Sequence, residues 1–201
     1  MKENYPMFVY NNIGTSNELT DEDIVRMIQS GDNDKFGVLI DRYEAKMLRY
    51  ARRFLFQAEN AADLVQEVFI KAYSSIDGFD LKLKFSPWLY RIAHNRFINE
   101  LNKKGRVTFF FDLDAFLPKV FSKDNADKDA LDNELKAVLG GCMDKIDQKY
   151  REVVVLYFFD NFSYKEISDI LHIPVSVVGI RLNRAKKIMK KLIKFQHGKE
   201  C

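Results

Sequence analysis

The sequence predicts an all-α protein of two small helical domains joined by a flexible, acidic, phenylalanine-containing linker, with a helix-turn-helix in the C-terminal domain. Three observations carry this expectation. Apolar residues recur at the 3.6-residue period in several separate stretches. Glycine and proline are scarce, 9 and 4 among 201 residues, about half the average usage, which argues against turn-dense β folds and low-complexity chains. Charge is also unevenly divided: residues 20–106 carry 15 basic against 13 acidic side chains, residues 107–135 carry 3 against 7, and residues 136–201 carry 13 against 7. An acidic connector thus separates two neutral-to-basic blocks. The expected units are an extension over 1–19, a first domain over 20–106, a linker over 107–134 and a second domain over 135–201.

In the first block, Thr20 followed by Asp21, Glu22 and Asp23 signals a helix start, and Ile24, Met27 and Ile28 repeat at helical spacing up to Gly31. A longer helix follows Asp34, with Phe36, Leu39, Ile40, Tyr43, Met47, Leu48, Ala51 and Phe54 on one stripe and Arg42, Lys46, Arg49, Arg52 and Arg53 off it. The third helix has the cleanest stripe: Ala61, Leu64, Val65, Val68, Phe69, Ala72, Tyr73 and Ile76, which leaves Asp63, Gln66 and Glu67 facing water. Ser86 and Pro87 read as cap and first residue of a fourth helix. Its inner side holds Trp88, Leu89, Ile92, Ala93, Phe97 and Leu101, and its outer side Arg91, Asn95, Arg96, Asn99, Asn102 and Lys103.

In the last block, Leu131, Leu135, Val138, Leu139, Cys142 and Ile146 mark an amphipathic helix weakened at Gly140-Gly141, where each glycine costs roughly 1 kcal/mol relative to alanine. Gln148 to Phe159 is strongly apolar and helical. Ser163-Tyr164-Lys165-Glu166 forms a capping box ahead of Ile167, Ile170 and Leu171, and a three-residue turn leads to a new helix from Pro174. Between Arg181 and Lys194 lie seven basic residues and no acid, a pattern suited to phosphates.

No window approaches a membrane span, and Met1 to Asn12 lacks a basic start followed by an apolar run, so a cytoplasmic protein without membrane insertion is expected. Cys142 and Cys201 share no short spacing with each other or with His94, His172 and His197, which excludes a disulfide framework and gives no metal site. No phosphate loop or nucleophile-histidine-acid set can be assembled. Neither an enzyme nor a cofactor is expected.

Three segments, in order, carry a resemblance. Ala61 to Tyr73, reading AADLVQEVFIKAY, closely resembles the polymerase-binding helix of bacterial extracytoplasmic-function (ECF) RNA polymerase sigma factors. Phe85 to Asn95, FSPWLYRIAHN, resembles the segment that follows it there, and Phe162 to Leu171, FSYKEISDIL, resembles the start of that family's C-terminal helix-turn-helix. The resemblance implies a transcription initiation factor that binds core RNA polymerase, directs it to promoter DNA and melts the minus-ten element. It implies that Asp63, Gln66 and Glu67 face the polymerase clamp helices, with an anti-sigma protein as the regulating partner. By the same resemblance Phe79, Asn95, Arg96, Asn99, Asn102 and Lys103 meet the minus-ten element, and Ser176, Val178, Arg181, Arg184, Lys186 and Lys187 the minus-35 element.

The chain departs from the family at Asn99 and Asn102, where an acid and an arginine are usual, and in the apolar run Val177-Val178-Gly179-Ile180 of the recognition helix. Few base-edge donors remain there, so phosphate contacts should dominate. Phe109, Phe110, Phe111, Phe116 and Phe121 in the connector fit either threading through the polymerase or pinning the two domains together. A stand-alone helix-turn-helix regulator, and a sigma-like protein that binds polymerase without initiating, are the alternative functions.

Overall fold

A computed structural model describes residues 19–55, 60–103 and 146–197. Among these residues there are seven α-helices and no strand. The N-terminal extension, the linker with its phenylalanines, Cys142 and most of the helix expected over 131–146 lie outside the described residues.

Helix α1 spans Asp21–Gln29 and opens with the expected capping box: Thr20 Oγ1 accepts from the Asp23 N–H at 3.1 Å while the Asp23 carboxylate accepts from the Thr20 N–H at 3.3 Å. It stops before Gly31, whose φ of 105° suits a residue without a Cβ. A single 3₁₀ turn leads into α2, Phe36–Leu55, which buries Phe36, Leu39, Tyr43, Met47, Ala51 and Phe54 of the expected stripe together with Tyr50 and Leu55, and leaves Ile40 and Leu48 half-buried. Helix α3, Ala61–Ser75, buries Ala61, Leu64, Val65, Val68, Phe69 and Ala72. Tyr73 departs from its expected stripe position. It is 44% exposed, its ring set edge-to-face with that of Phe36 at 5.0 Å between centroids.

Helix α4 runs Phe85–Lys103 and begins one residue before the expected cap. The reason is a contact from another helix. The Phe85 N–H donates to Glu22 Oε1 at 2.8 Å, so a side chain of α1 satisfies an orphan N–H donor at the start of α4, ahead of Ser86. Pro87 then sits in the first turn, where its missing N–H breaks no helical bond.

In the second unit α5 spans Gln148–Val154 and continues as a π turn, Val155–Phe159. Helix α6, Tyr164–Leu171, carries the predicted capping box between Ser163 and Glu166, and the left-handed residue His172 (φ 53°) turns the chain into α7, Val175–His197. Helices α1 to α4 and α5 to α7 form two bundles that pack on each other, mainly α4 against α6. At that seam Tyr90 meets Phe162 edge-on at 4.6 Å and donates its hydroxyl to Asp160 Oδ1 at 3.2 Å. Lys84 Nζ reaches Glu166 Oε1 at 2.8 Å, and Arg53 lies over the Phe159 ring at 4.2 Å.

Candidate functional site

Three surfaces collect the sequence-predicted residues. On α3 the buried stripe turns Asp63, Gln66 and Glu67 outward, all exposed. Glu67 accepts two hydrogen bonds from Arg96 of α4, at 2.5 and 3.0 Å, and these hold its carboxyl below the usual range. Ile70, one turn further along, is 69% exposed, the highest value among the large apolar side chains described. Its sequence signal is its place outside the stripe that Leu64, Val65, Val68, Phe69 and Ala72 define.

On α4, Asn95, Asn99, Asn102 and Lys103 are exposed at helical spacing, which brings three amides and an ammonium to one face. Two expected members of this face are engaged within the fold. Arg96 spends its guanidinium on Glu67 and Glu100. Phe79 is only 5% exposed, packed edge-on against Trp88 at 5.1 Å, while Gln29 Nε2 donates to the Phe79 carbonyl at 2.9 Å. A loop position between Gly78 and Asp80 left its ring free to turn inward, and the neighbouring aromatic rings drew it there.

The third surface is α7. Ser176, Arg184 and Lys186 are half-buried and Lys187 is exposed, with Lys186 Nζ 5.5 Å from the centre of the Phe158 ring. Val178 and Arg181 turn inward instead. Val178 is wholly buried, and it begins an inward series with Leu182, Ala185 and Met189 that follows helical spacing and was readable from the sequence. Arg181 lies on the same inward side, 7% exposed, and donates to Glu152 Oε1 of α5 at 2.8 Å.

The Arg181–Glu152 pair touches the seam. His94 Nε2 is 3.6 Å from Glu152 Oε2, and His94 Nδ1 is 3.1 Å from the Tyr50 hydroxyl. Burial first, and then the Arg181 charge, push His94 down to about 4, so its contact with Glu152 is that of a neutral ring. Burial raises Glu152 to about 7 against the pull of Arg181, and burial raises Asp160 to about 6 against its hydrogen bond from Tyr90 and nearby Arg53, Arg49 and Lys46. Glu166 goes the other way: burial opposes its charge, but hydrogen bonds from Lys84 and Ser163 outweigh it and bring the carboxyl to about 2. Among the described residues no three His, Cys, Asp or Glu side chains gather as a metal site, and no helix is long and apolar enough to cross a membrane.

Residues 39–107 match the family model of Sigma-70 region 2, and residues 137–189 that of Sigma-70 region 4. The ECF RNA polymerase sigma factor SigW of Bacillus subtilis is 35% identical over 178 residues, which cover 85% of this chain and 95% of that protein. The chain belongs to the ECF sigma factors. As a member it is a promoter-specific transcription initiation factor, in a family of non-enzymatic transcription factors. The ECF sigma-E factor of Escherichia coli is 34% identical over 179 residues, 86% of this chain and 93% of that one. Among solved structures, CnrH in complex with the cytosolic domain of CnrY matches with a TM-score of 0.62 and 26% identity over 87% of this sigma factor and 97% of that chain. The sigma factor RpoE, in complex with the anti-sigma factor NepR from Bartonella quintana, shares the fold at a TM-score of 0.58 and 23% identity, over 79% and 96% of the two chains.

Proposed function

We propose that residues 20–106 of this sigma factor dock on core RNA polymerase through Asp63, Gln66 and Glu67 and capture the melted minus-ten element through Asn95, Asn99, Asn102 and Lys103. The observation that carries this reading is the pair of exposed polar faces on one bundle, acidic on α3 and amide-rich on α4. Acids suit the basic side chains of a clamp, and amides can bond to the edges of unstacked bases. Residues 135–201 meet the minus-35 element through Ser176, Arg184, Lys186 and Lys187. Val178 and Arg181 serve the fold of α7 instead.

Residues 1–19 are an extension and 107–134 a linker in this reading. The protein acts in the cytoplasm, catalyses no reaction itself and uses no cofactor. An anti-sigma protein controls it, as its likeness to CnrH, solved with the cytosolic domain of another protein, supports.

Reversal of charge at Asp63 and Glu67 tests the docking face: a pull-down with core RNA polymerase should recover far less of the double variant than of the parent. Run-off transcription reports the minus-ten face. Replacement of Asn95 and Asn99 by alanine should lower promoter opening while core binding holds. Undiminished recovery of the charge-reversed protein would remove α3 from the interface.

A further inference from the structure

The contact between Glu67 and Arg96 joins the α3 face to the α4 helix. Arg96 Nε and Nη2 donate to the two oxygens of Glu67 at 2.5 and 3.0 Å, while Nη1 donates to Glu100 Oε2 at 3.3 Å. Asn60 Nδ2, at the start of α3, donates to the other oxygen of Glu100 at 3.4 Å. Side-chain exposure falls across the cluster, from 52% at Glu67 through 21% at Arg96 to 12% at Glu100.

Two acids and one guanidinium carry one net negative charge, and Lys103 adds a more distant positive field at Glu67. Glu100 lies at the sheltered end and offsets Arg96 there, so the surplus charge is displayed at Glu67, on the face that holds Asp63, Gln66 and Ile70. A glutamate alone on a helix surface samples several rotamers and loses that freedom when a partner binds. The planar fork of an arginine fixes a carboxylate in one pose, which a lysine ammonium does not. A carboxylate offers about four lone-pair sites, and the two donors on Glu67 leave sites open to a second cation.

We infer that Arg96 is a positioning residue for the polymerase contact: it holds the Glu67 carboxylate in one outward pose, so that α3 meets a basic partner surface with its acid already ordered. The inference rests on the reading of α3 as the docking face. Repulsion between Arg96 and the partner's cations is the opposing effect. The Glu100 carboxylate largely cancels it.

The test measures affinity of the full-length protein for core RNA polymerase by fluorescence competition. Arg96→Ala should bind about three- to fivefold more weakly, the scale of an exposed ion pair. Arg96→Lys, which keeps the charge without the fork, should fall between the two. In a Glu67→Gln background, Arg96→Ala should cause no further loss, because there is no carboxylate left to hold. Unchanged or tighter binding by Arg96→Ala overturns the inference. An equal loss in the Glu67→Gln background overturns it too, since Arg96 would then act on the partner or on the bundle directly. If reversal of Asp63 and Glu67 weakens core binding and Arg96→Ala does not, the inference fails alone. If that reversal leaves core binding intact, the docking reading falls and takes the inference with it.

Discussion

Helices α3 and α7 are both amphipathic, and both carry charged residues that the sequence places toward a partner. On α3 the two classes separate cleanly: the buried stripe is wholly apolar and Asp63, Gln66 and Glu67 lie outside it. On α7 they mix, because the inward series Val178, Leu182, Ala185 and Met189 shares its side of the helix with Arg181. The difference has a source outside α7. Glu152, on α5, supplies a buried acid for Arg181, and nothing local to the recognition helix announces it. A basic residue in a basic helix faces solvent only while no other element offers it a buried partner.

The largest expected effect breaks this contrast at the buried pair. Loss of one partner of a buried ion pair strands the other charge and costs about 3–5 kcal/mol, whereas replacement of both by apolar side chains of similar size is close to neutral. Arg181→Ala should therefore destabilise the protein by that amount in chemical denaturation, and Glu152→Leu combined with Arg181→Met should restore most of it. Should Arg181→Ala leave stability unchanged but alter promoter preference, Arg181 reads DNA and α7 resembles α3 after all.

A somewhat smaller effect concerns the seam that brings Glu152 close to His94. Tyr90→Ala removes a buried ring from Phe162 and a hydroxyl from Asp160, a loss of about 3 kcal/mol by the usual cost of aromatic truncation. Part of it should appear as separation of the two bundles. Spin labels on the exposed faces of α3 and α7 would report a broader, longer distance distribution in the variant. A distribution identical to the parent's would mean that other seam contacts hold the bundles unaided.

Much of the fold was legible because helix caps and stripes are local. Thr20 and Asp23, and Ser163 and Glu166, find each other within three residues, and α3 follows from spacing alone. The start of α4 was misplaced because its first donor is satisfied by Glu22, 63 residues earlier in the chain. Three of the four expected site residues that the fold engages, Phe79, Arg96 and Arg181, share that cause. Each has a chemistry suited to nucleic acid, and each is claimed by residues from another helix: Trp88, Glu67 and Glu152. The sequence showed what these side chains can do, and tertiary contacts decided with what.

Acidity sharpens the same contrast more gently, because the seam titrates in two opposing directions. Glu152 and Asp160 are raised to about 7 and 6, so their contributions are present below their ordinary values of 4.5 and 3.8 and are lost as pH rises toward the folded ones. His94 is lowered from 6.5 to about 4, so its contribution is present above 6.5 and is lost as pH falls. Between pH 4.5 and 6 the two carboxyls outnumber the imidazole, and the net contribution at the seam should decline modestly with rising pH. His94→Leu removes the opposing contribution and should steepen that decline in urea denaturation series. A slope unaffected by His94→Leu would show that this ring titrates alike in the folded and unfolded chain.

The smallest effect distinguishes two adjacent lysines of α7. Lys187 is exposed, while Lys186 is half-buried with its ammonium over the Phe158 ring. Each phosphate neutralised contributes a slope of roughly −0.9 in log affinity against log salt. If α7 binds DNA mainly through phosphates, Lys187→Ala should flatten the salt slope of DNA binding by about 0.9. Lys186→Ala should change it less, because its ammonium is already engaged by a ring that DNA would have to displace. Neither change should alter preference between matched and scrambled duplexes, since phosphate contacts carry no sequence information. A larger change at Lys186 than at Lys187 would place the DNA backbone on the Phe158 side of α7, and the face assigned here to the minus-35 element would have to rotate with it.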